Sequence, residues 1–446
     1  MRILAGPAFD HATADRPRRR PPVMLIFLSV VILGVSGGLL WTVGINYDGL
    51  TGGAPQKIHP STYLVILLFG WGALMSGNPV GYLVRAARIR PAAILLAVAS
   101  LGLFLHIVLR AGPGMAGALD TFLLPGLLAV VLAERDDDTW RWLERAVHAV
   151  MLVNALLGLV EFATGHLFFP YRLDGAVFST DTRSAALQGH PLGNATLTAC
   201  YVLALIAGGG TFTPALRAGM IVLQLAALVA FGGRSAIVVT LILGGGSGLL
   251  ALHRTLRTGR VPLLGAALAV FAFTLVPLAI GGLAVAGFFD ALLGRFMADG
   301  GSANARVEMF DLVAKIPLRD LLVGPEMDLV ESLRRVSGLE WGIENPIVRT
   351  LIYQGAFMTL FLTVAVTLFI VELVRQCRAG TALPVIAFVV LNNTFEGLGG
   401  KTTLLAKFVI LLLALYRPVT AAPPPSGATA RGRRGSPDRS DDWRRP

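Results

Sequence analysis

Apolar runs of roughly twenty residues alternate with polar connectors along almost the whole chain. A run of about 20 apolar residues is long enough to cross the hydrocarbon of a bilayer as an α-helix. The pattern therefore predicts an all-α polytopic helical bundle of about 12 transmembrane helices. We place the spans at residues 22–44, 61–80, 91–108, 115–133, 147–162, 192–207, 218–231, 235–252, 261–288, 347–374, 381–395 and 402–416.

Arginine distribution predicts the orientation of the bundle. Every second connector is rich in arginine, and the connectors between them are poor in it. Because arginine-rich loops stay in the cytoplasm, this face and both termini are predicted to be cytoplasmic. The arginines concerned are Arg85, Arg88, Arg90, Arg135, Arg141, Arg145, Arg217, Arg254, Arg257, Arg260, Arg375 and Arg378.

The predicted spans divide the chain into parts. A cytoplasmic N-terminal segment and a cytoplasmic C-terminal tail flank the membrane part. The tail is predicted to be disordered, because its Pro- and Arg-rich composition has too few apolar residues to form a core. Between helices 9 and 10 lies a large periplasmic loop with short amphipathic helices. One of them is predicted to begin at Arg306, to lie at the membrane surface and to stop before Pro317. The boundaries are 1–21 for the first segment, 22–288 for helices 1–9, 289–345 for the loop, 346–416 for helices 10–12, and 417–446 for the tail.

Composition excludes two classes of protein. Of 446 residues, 54% are hydrophobic and only 15% are charged, which excludes an ordinary soluble enzyme of this length. The net charge is +11, and a large positive charge is also typical of nucleic-acid-binding proteins. Here the excess lies in short connectors and tails, where membrane orientation requires it, so no nucleic-acid partner is expected.

Arginines on the arginine-poor face need another explanation. A guanidinium group binds phosphate oxygens through two parallel hydrogen bonds and stays charged, so it suits an anionic substrate. The alternative is pairing with nearby aspartates in a solvated loop. The connector 165–191 carries Arg172, Asp174, Asp181, Arg183 and His190.

Two further sites on this face lie at predicted helix starts. In the turn Gly232-Gly233-Arg234-Ser235, Ser235 is expected to cap the next helix. Arg234 then lies at the positive end of the helix dipole, which argues for a nearby anion, although extension of the side chain to lipid headgroups is the competing interpretation.

The large loop ends at Glu344 and Asn345, before Pro346 in the first turn of the next helix. The Glu344 carboxylate is a candidate base, and the alternative is that it only stabilises the helix dipole. Asn345 and Arg349 are assigned to substrate binding.

These motifs, in this order, resemble the O-antigen ligase and Wzy-type polysaccharide polymerase superfamily, and within it exopolysaccharide proteins of the VpsF type. The resemblance covers about residues 115–416. Ligases that act on lipid A core have a histidine where this chain has Glu344, which favours a polymerase or another acceptor. The matching segments are Arg183 with Gln188-Gly189-His190-Pro191, then 231–235, 303–306 with Pro317-Leu318 and Val323-Gly324, and Glu344-Asn345 ahead of Gly355.

The resemblance implies a metal-independent membrane glycosyltransferase without a cofactor, on the periplasmic side of the bacterial inner membrane. Its donor is a glycan linked to undecaprenyl diphosphate, its acceptor is a glycan or a lipid, and polysaccharide export machinery is a further partner. Arg234 and Arg306, with Arg172 or Arg183, are expected to stabilise the leaving diphosphate. Glu344 or His190 is expected to accept the proton of the attacking hydroxyl.

Other functions stay open at this point: an O-antigen ligase proper, a transporter or flippase of lipid-linked glycans, and a non-catalytic assembly subunit. A transporter places ionisable groups near the bilayer midplane. The predicted spans are largely free of acids, and charges lie at their outward ends, which counts against transport.

Overall fold

The computed structural model describes most of the chain as helix, with 76% of residues helical and few in strands. The residues it describes are 23–417, without 111, 113, 134, 178–182, 260–277, 279–280, 283, 286, 288, 291–301, 340–342 and 396. The predicted segment 1–21 and, apart from Arg417, the predicted tail 417–446 lie outside the described residues, as does most of the predicted span 261–288.

The helices begin and end mostly at proline, glycine or short polar residues. A π-helical turn, Ala118–Leu123, lies within α6, and two-residue strands β1, Arg172–Leu173, and β2, Ala176–Val177, pair antiparallel. The helices are α1 Val23–Gly34, α2 Gly37–Thr42, α3 Pro60–Met75, α4 Pro79–Ile89, α5 Pro91–Leu109, α6 Met115–Val131, α7 Asp137–Thr164, α8 Pro191–Ile206, α9 Pro214–Phe231, α10 Arg234–Thr258, α11 Ser302–Lys315, α12 Leu318–Val323, α13 Met327–Val336, α14 Pro346–Gln354, α15 Ala356–Gln376, α16 Ala382–Asn392 and α17 Leu404–Tyr416.

Among the described residues, five helices are long and apolar enough to cross a membrane: α5, α7, α9, α10 and α15. The pair α3 and α4, bent by 117°, makes a sixth if it is one broken span. Helices α1, α6, α8, α16 and α17 are apolar but shorter. The helical class is confirmed and fits a membrane protein, whereas the count of about 12 spans and their orientation stay predictions.

Three predicted spans are wrong as single helices. The side chain of Ser36 accepts a hydrogen bond from Leu39 N (3.4 Å) and starts α2, and Asn78 starts α4 by accepting from Gly81 N (2.8 Å). Gly355 has a φ of +83°, which an α-helix cannot contain. The affected predictions are 22–44, 61–80 and 347–374, now divided into α1 and α2, α3 and α4, and α14 and α15.

The core surrounds α17. Every residue of this helix is buried, including Lys407 in its second turn. It packs against α1, α6, α7 and α8, and the ring of Phe408 stacks on that of Phe388 in α16 with centroids 4.0 Å apart. A helix that is buried on all sides fixes the positions of its neighbours.

Connectors contact one another in two separate groups. At one end of the bundle, which we call the loop end, connectors 43–59, 165–190 and 393–403 meet. Asn46 Nδ2 donates to Asp174 Oδ1 (2.9 Å), and Lys401 Nζ lies 3.8 Å from the centroid of the Tyr47 ring. All of these connectors belong to the arginine-poor face of the sequence pattern.

The second group, which we call the turn end, contains connectors 207–213 and 377–381, next to the beginning of α7. Arg378 Nη2 donates to the carbonyl of Gly210 (3.3 Å), and Thr211 Oγ1 donates to Glu144 Oε1 in α7 (2.6 Å). The contacts therefore group connectors as the arginine pattern does. Which compartment each end faces stays a prediction.

Candidate functional site

His190 lies at the start of α8, at the loop end. Its Nδ1 accepts a weak hydrogen bond from Gly193 N (3.5 Å), so it caps the helix, and its exposed ring stands edge-on to Tyr171. The preceding Gly189 has a φ of +70°, and a Cβ there would lie 2.8 Å from Ser36 Cβ. Only glycine fits this turn.

The segment before His190 is held by a buried carboxylate. Glu161, near the end of α7, accepts hydrogen bonds from Ser184 Oγ (2.6 Å) and from the backbone N–H groups of Ala185 (2.9 Å) and Ala186 (2.8 Å). It also accepts from Phe168 N (2.8 Å). Charge-assisted hydrogen bonds of this kind are stronger than neutral ones, so Glu161 fixes the approach to His190.

Two asparagines extend this support. Asn154 Oδ1 accepts from Leu187 N (3.2 Å), and Asn154 Nδ2 donates to Asn194 Oδ1 (2.8 Å). Asn194 Nδ2 in turn donates to the carbonyl of Ala185 (3.1 Å). The buried amides thus join α7, the segment and α8.

Arg172 and Arg183 take different positions. Arg172 Nη1 donates to the carbonyl of Gly175 (2.9 Å) inside the small hairpin. Asp174 instead accepts from Thr51 Oγ1 (2.6 Å), and hydrogen bonds led by Thr51 lower the pKa of its exposed carboxyl. Arg183 lines a small pocket that also contains Tyr171 and Pro191, so it adjoins the start of α8.

Arg234 is the first residue of α10 and is half-buried. Gly233, not Ser235, is the N-cap residue, so the predicted serine cap is wrong. A Cβ at Gly233 would lie 2.5 Å from Ala195 Cβ, so the turn packs closely on α8. Arg234 is thereby placed near the first turns of α8.

The start of α14 holds three predicted residues. Asn345 Oδ1 accepts from Ile347 N and Val348 N, each at 3.0 Å, so its side chain caps α14. Glu344 is exposed, and Arg349 stacks over the ring of Tyr353 at 5.5 Å. The helix dipole therefore points its positive end towards Glu344.

Arg306 lies on α11, which begins at Ser302, four residues before the predicted start at Arg306, and ends at Lys315, before Pro317 as predicted. Its side chain lies outside the described part of the chain. The helix packs on α14, and the buried side chains at this contact include Leu312 and Ile352. The helix that contains Arg306 therefore packs against the helix that follows Glu344.

The large loop is anchored by residues that the sequence analysis did not single out. Arg110, after α5, donates to the carbonyl groups of Tyr353 (3.0 Å) and Pro325. A Cβ at Gly355 would lie 2.6 Å from the carbonyl carbon of Val323, so backbone lies directly on backbone there. The Val323-Gly324 segment therefore docks at the break between α14 and α15.

Helix starts from distant segments converge at the end of α16. The rings of His190 and Phe395 are nearly parallel, with centroids 6.5 Å apart. The turn at Gly399 follows, and a Cβ there would lie 2.8 Å from Pro346 Cα. We call residues 183–190 with the start of α8 the histidine half, and Glu344–Arg349 with α11–α13 the glutamate half. The two halves thus contact the same connector, 393–403, and meet through it.

A groove of about 200 Å³ opens beside this junction. It begins at Pro346 and Ile347 and runs between α14, α15 and α16 as far as Ile370. Three of the four threonine hydroxyls on its wall donate to backbone carbonyl groups four residues earlier: those of Thr350, Thr359 and Thr367. The wall therefore offers an apolar surface with few free polar groups.

A second polar cluster closes the loop end beside α6. Asp120, fully buried in the π-helical turn, accepts from Tyr47 Oη (2.9 Å) and Thr62 Oγ1 (2.6 Å). Lys401 lies over the Tyr47 ring at 3.8 Å, and burial lowers the pKa of its ammonium group. Burial also raises the pKa of Asp48 to about 6, opposed by Lys401.

Glu161, Asp120 and Lys407 are the principal polar residues that the sequence analysis missed. Each is a charged residue type within a predicted apolar span, and that is the signal that could have identified them. The expectation that the spans are largely free of acids overlooked both carboxylates.

A scan against protein-family models finds no match to this chain, and a search of curated proteins finds none. The family resemblance therefore stands on the quoted motifs. What the geometry adds is the arrangement of their residues: His190, Arg183 and Arg234 near the start of α8, and Glu344, Asn345 and Arg349 at the adjoining start of α14.

Proposed function

We propose that this protein is a membrane glycosyltransferase of polysaccharide biosynthesis that polymerises or transfers glycans carried on undecaprenyl diphosphate. The observation that supports it best is the meeting of the histidine and glutamate halves beside an apolar groove. A lipid-linked donor requires cationic and polar groups for its diphosphate and glycan, and an apolar surface for its chain. The motif resemblance supports the same reading.

The proposed reaction is a displacement at the anomeric carbon of the donor sugar. An acceptor hydroxyl forms the new glycosidic bond while the bond to the diphosphate oxygen breaks and the hydroxyl proton passes to a base. Arg234 and Arg306 stabilise the negative charge that develops on the diphosphate, and Arg183 or Arg172 assists. Asn345 and Arg349 bind the donor at the start of the groove.

One contact favours Glu344 over His190 as the base. Because His190 Nδ1 accepts the N–H of Gly193, a neutral ring carries its proton on Nε2 and is a donor there. We therefore assign His190 to donating a hydrogen bond to substrate. Glu344, whose carboxylate is exposed at the start of α14, is assigned the role of base.

Transport of a lipid-linked glycan is the second candidate. Asp120 and Lys407 are buried inside apolar helices, which is the placement of ionisable groups in many transporters. Purified protein in vesicles with a lipid-linked oligosaccharide separates the two candidates. A transferase converts the oligosaccharide chemically, whereas a flippase only moves it between leaflets.

The decisive test compares arginines in cells lacking the native protein. Arg234→Ala and Arg306→Ala are expected to reduce polymer formation about 10²–10³-fold, because each removes a group that stabilises the leaving diphosphate. Arg254→Ala, at the other end of α10 from Arg234, is the matched control and should leave polymer unchanged. Protein amount in the membrane is measured for each variant.

Normal polymer from both Arg234→Ala and Arg306→Ala would overturn the assigned roles. Glycans of the deletion strain then identify the reaction. Loss of high-mass polymer indicates a polymerase, and intact polymer that lacks its attachment indicates a ligase.

A further inference from the structure

Lys407 is a cation in an apolar helix whose every residue is buried, and only 6% of its surface is exposed. Removing an ammonium group from water is unfavourable unless a polar partner compensates. Packing alone would be served better by leucine or methionine. The lysine therefore has a role that an apolar side chain cannot fill.

The partner of Lys407 is in the histidine half. Lys407 Nζ donates to Gln188 Oε1 (2.6 Å), and Gln188 Nε2 donates to the carbonyl of Leu33 at the end of α1 (2.7 Å). Gln188 is two residues before His190, in the turn where Gly189 lies against Ser36. The buried side chain of Gln188 thus connects α17 and α1 to the histidine turn.

Lys401 provides an internal comparison. Lys401 lies six residues earlier in the chain, but it donates to the backbone carbonyl of Tyr47 and lies over the ring of Tyr47. It therefore supports the connector 43–59 rather than the histidine turn. The two lysines have the same charge and different targets.

We infer that Lys407 is a positioning residue, which holds the Gln188-Gly189-His190 turn through its hydrogen bond to Gln188 and so places His190 at the junction with the glutamate half. The inference rests on the proposed function in one respect, since that function is why the position of His190 matters. The link between Lys407 and the turn can be tested without any activity.

The first measurement is amide hydrogen exchange of residues 184–190 in the full-length protein in nanodiscs. Lys407→Met is expected to speed exchange at Gln188 and Gly189 about ten-fold or more, as the loss of a hydrogen bond to a charged group implies. Lys401→Met, the control, should leave this segment unchanged and speed exchange in 43–59. Equal exchange in the parent and Lys407→Met would overturn the inference, whatever the protein catalyses.

Gln188→Met provides a second route to the same link. It should reproduce the exchange of Lys407→Met, and the double variant should add nothing further. It also keeps the inference testable if Lys407→Met does not fold. Additive changes in the double variant would show that the two side chains act separately, which contradicts the inference.

The second measurement is transferase activity. Lys407→Met should lower kcat and change KM less. In a His190→Ala background it should have no further effect, because a positioning residue acts through the group it positions. An equal loss in both backgrounds would indicate general structural damage and overturn the role. If no transferase activity is found with any variant, the proposed function fails while the exchange result still decides the link.

Discussion

The two halves of the candidate site differ in how they are held. In the histidine half, the buried groups of Glu161, Asn154 and Lys407 support the chain from behind. In the glutamate half, Asn345 caps its own helix and Glu344 is exposed. Support there comes from a small apolar cluster under α14, with the hydrogen bonds of Arg110 to Tyr353 and Pro325. The histidine half is held by buried polar and charged side chains, and the glutamate half mainly by apolar packing.

From this difference we infer that the histidine half has the more fixed geometry. Buried charge-assisted hydrogen bonds tolerate little displacement, because a group that moves leaves a buried partner unsatisfied. Apolar packing near the surface has no such directional requirement. We therefore expect substitutions behind His190 to change stability strongly and equivalent substitutions near Glu344 to change it weakly.

The largest expected effect is that of Glu161→Ala. It leaves the N–H groups of Ala185 and Ala186 and the hydroxyl of Ser184 without their carboxylate acceptor, which is expected to lower the free energy of unfolding by about 3 kcal/mol or more. Glu344→Ala, the same change on the exposed side, should alter it by about 0.5 kcal/mol or less. Unfolding in micelles is followed by thiol labelling, since both cysteines are buried.

An equal loss of stability in Glu161→Ala and Glu344→Ala would contradict the proposed difference between the two halves. Glu161→Gln tests the role of the carboxylate further. Its amide retains one acceptor oxygen, so this variant should lose less stability than Glu161→Ala. Labelling of Cys200 and Cys377 before unfolding must stay slow in all variants for the measurement to hold.

Gly355→Ala is expected to have the second largest effect. The new Cβ meets backbone at Val323 while φ is +83°, so the contact between the large loop and the α14–α15 break must open. The expected loss is about 2 kcal/mol of stability. Faster proteolysis within 317–339 should accompany it, and Gly338→Ala is the control, since open space surrounds that glycine although its φ is also positive.

If Gly355→Ala and Gly338→Ala behave alike, the loss comes from the backbone conformation of glycine and not from the contact with Val323. The glutamate half would then be anchored elsewhere, through Arg110 and Tyr353.

Asn345→Ala should have the smallest effect of the three. It removes the side-chain acceptor for Ile347 N and Val348 N and is expected to lower stability by about 1 kcal/mol, the usual contribution of an N-cap. Asn345→Asp keeps an acceptor at the same place and should retain stability. If Asn345→Asp keeps stability but loses polymer formation, Asn345 binds substrate as well as capping the helix.

Local features were readable from the sequence. The helical class, the helix that ends before Pro317 and the helix starts at Pro191 and Pro346 follow from hydropathy, proline and capping patterns within a few residues. These features depend only on neighbours in the chain. Asn345 illustrates this, because its capping partners are two and three residues away.

Features that depend on distant partners were not readable. The break at Gly355 lies within a predicted span, and a hydropathy pattern does not register one glycine whose Cβ position is filled by Val323. The sequence shows that Glu161 and Lys407 are charged, but not that their partners are Ser184 and Gln188. Such pairings arise only when helices far apart in the chain are brought together.

The break at Gly355 has a mechanical consequence. A continuous span moves as one rod, but α14 joins α15 through a single pivot residue, while α15 is packed against α5 and α12. The short helix α14 is therefore not held in line with α15 by continuous helical backbone, and its contacts with the large loop and with Gly399 set its position. Because the backbone of Val323 lies against Gly355, we expect any change in the position of the large loop to alter the direction of α14 relative to α15.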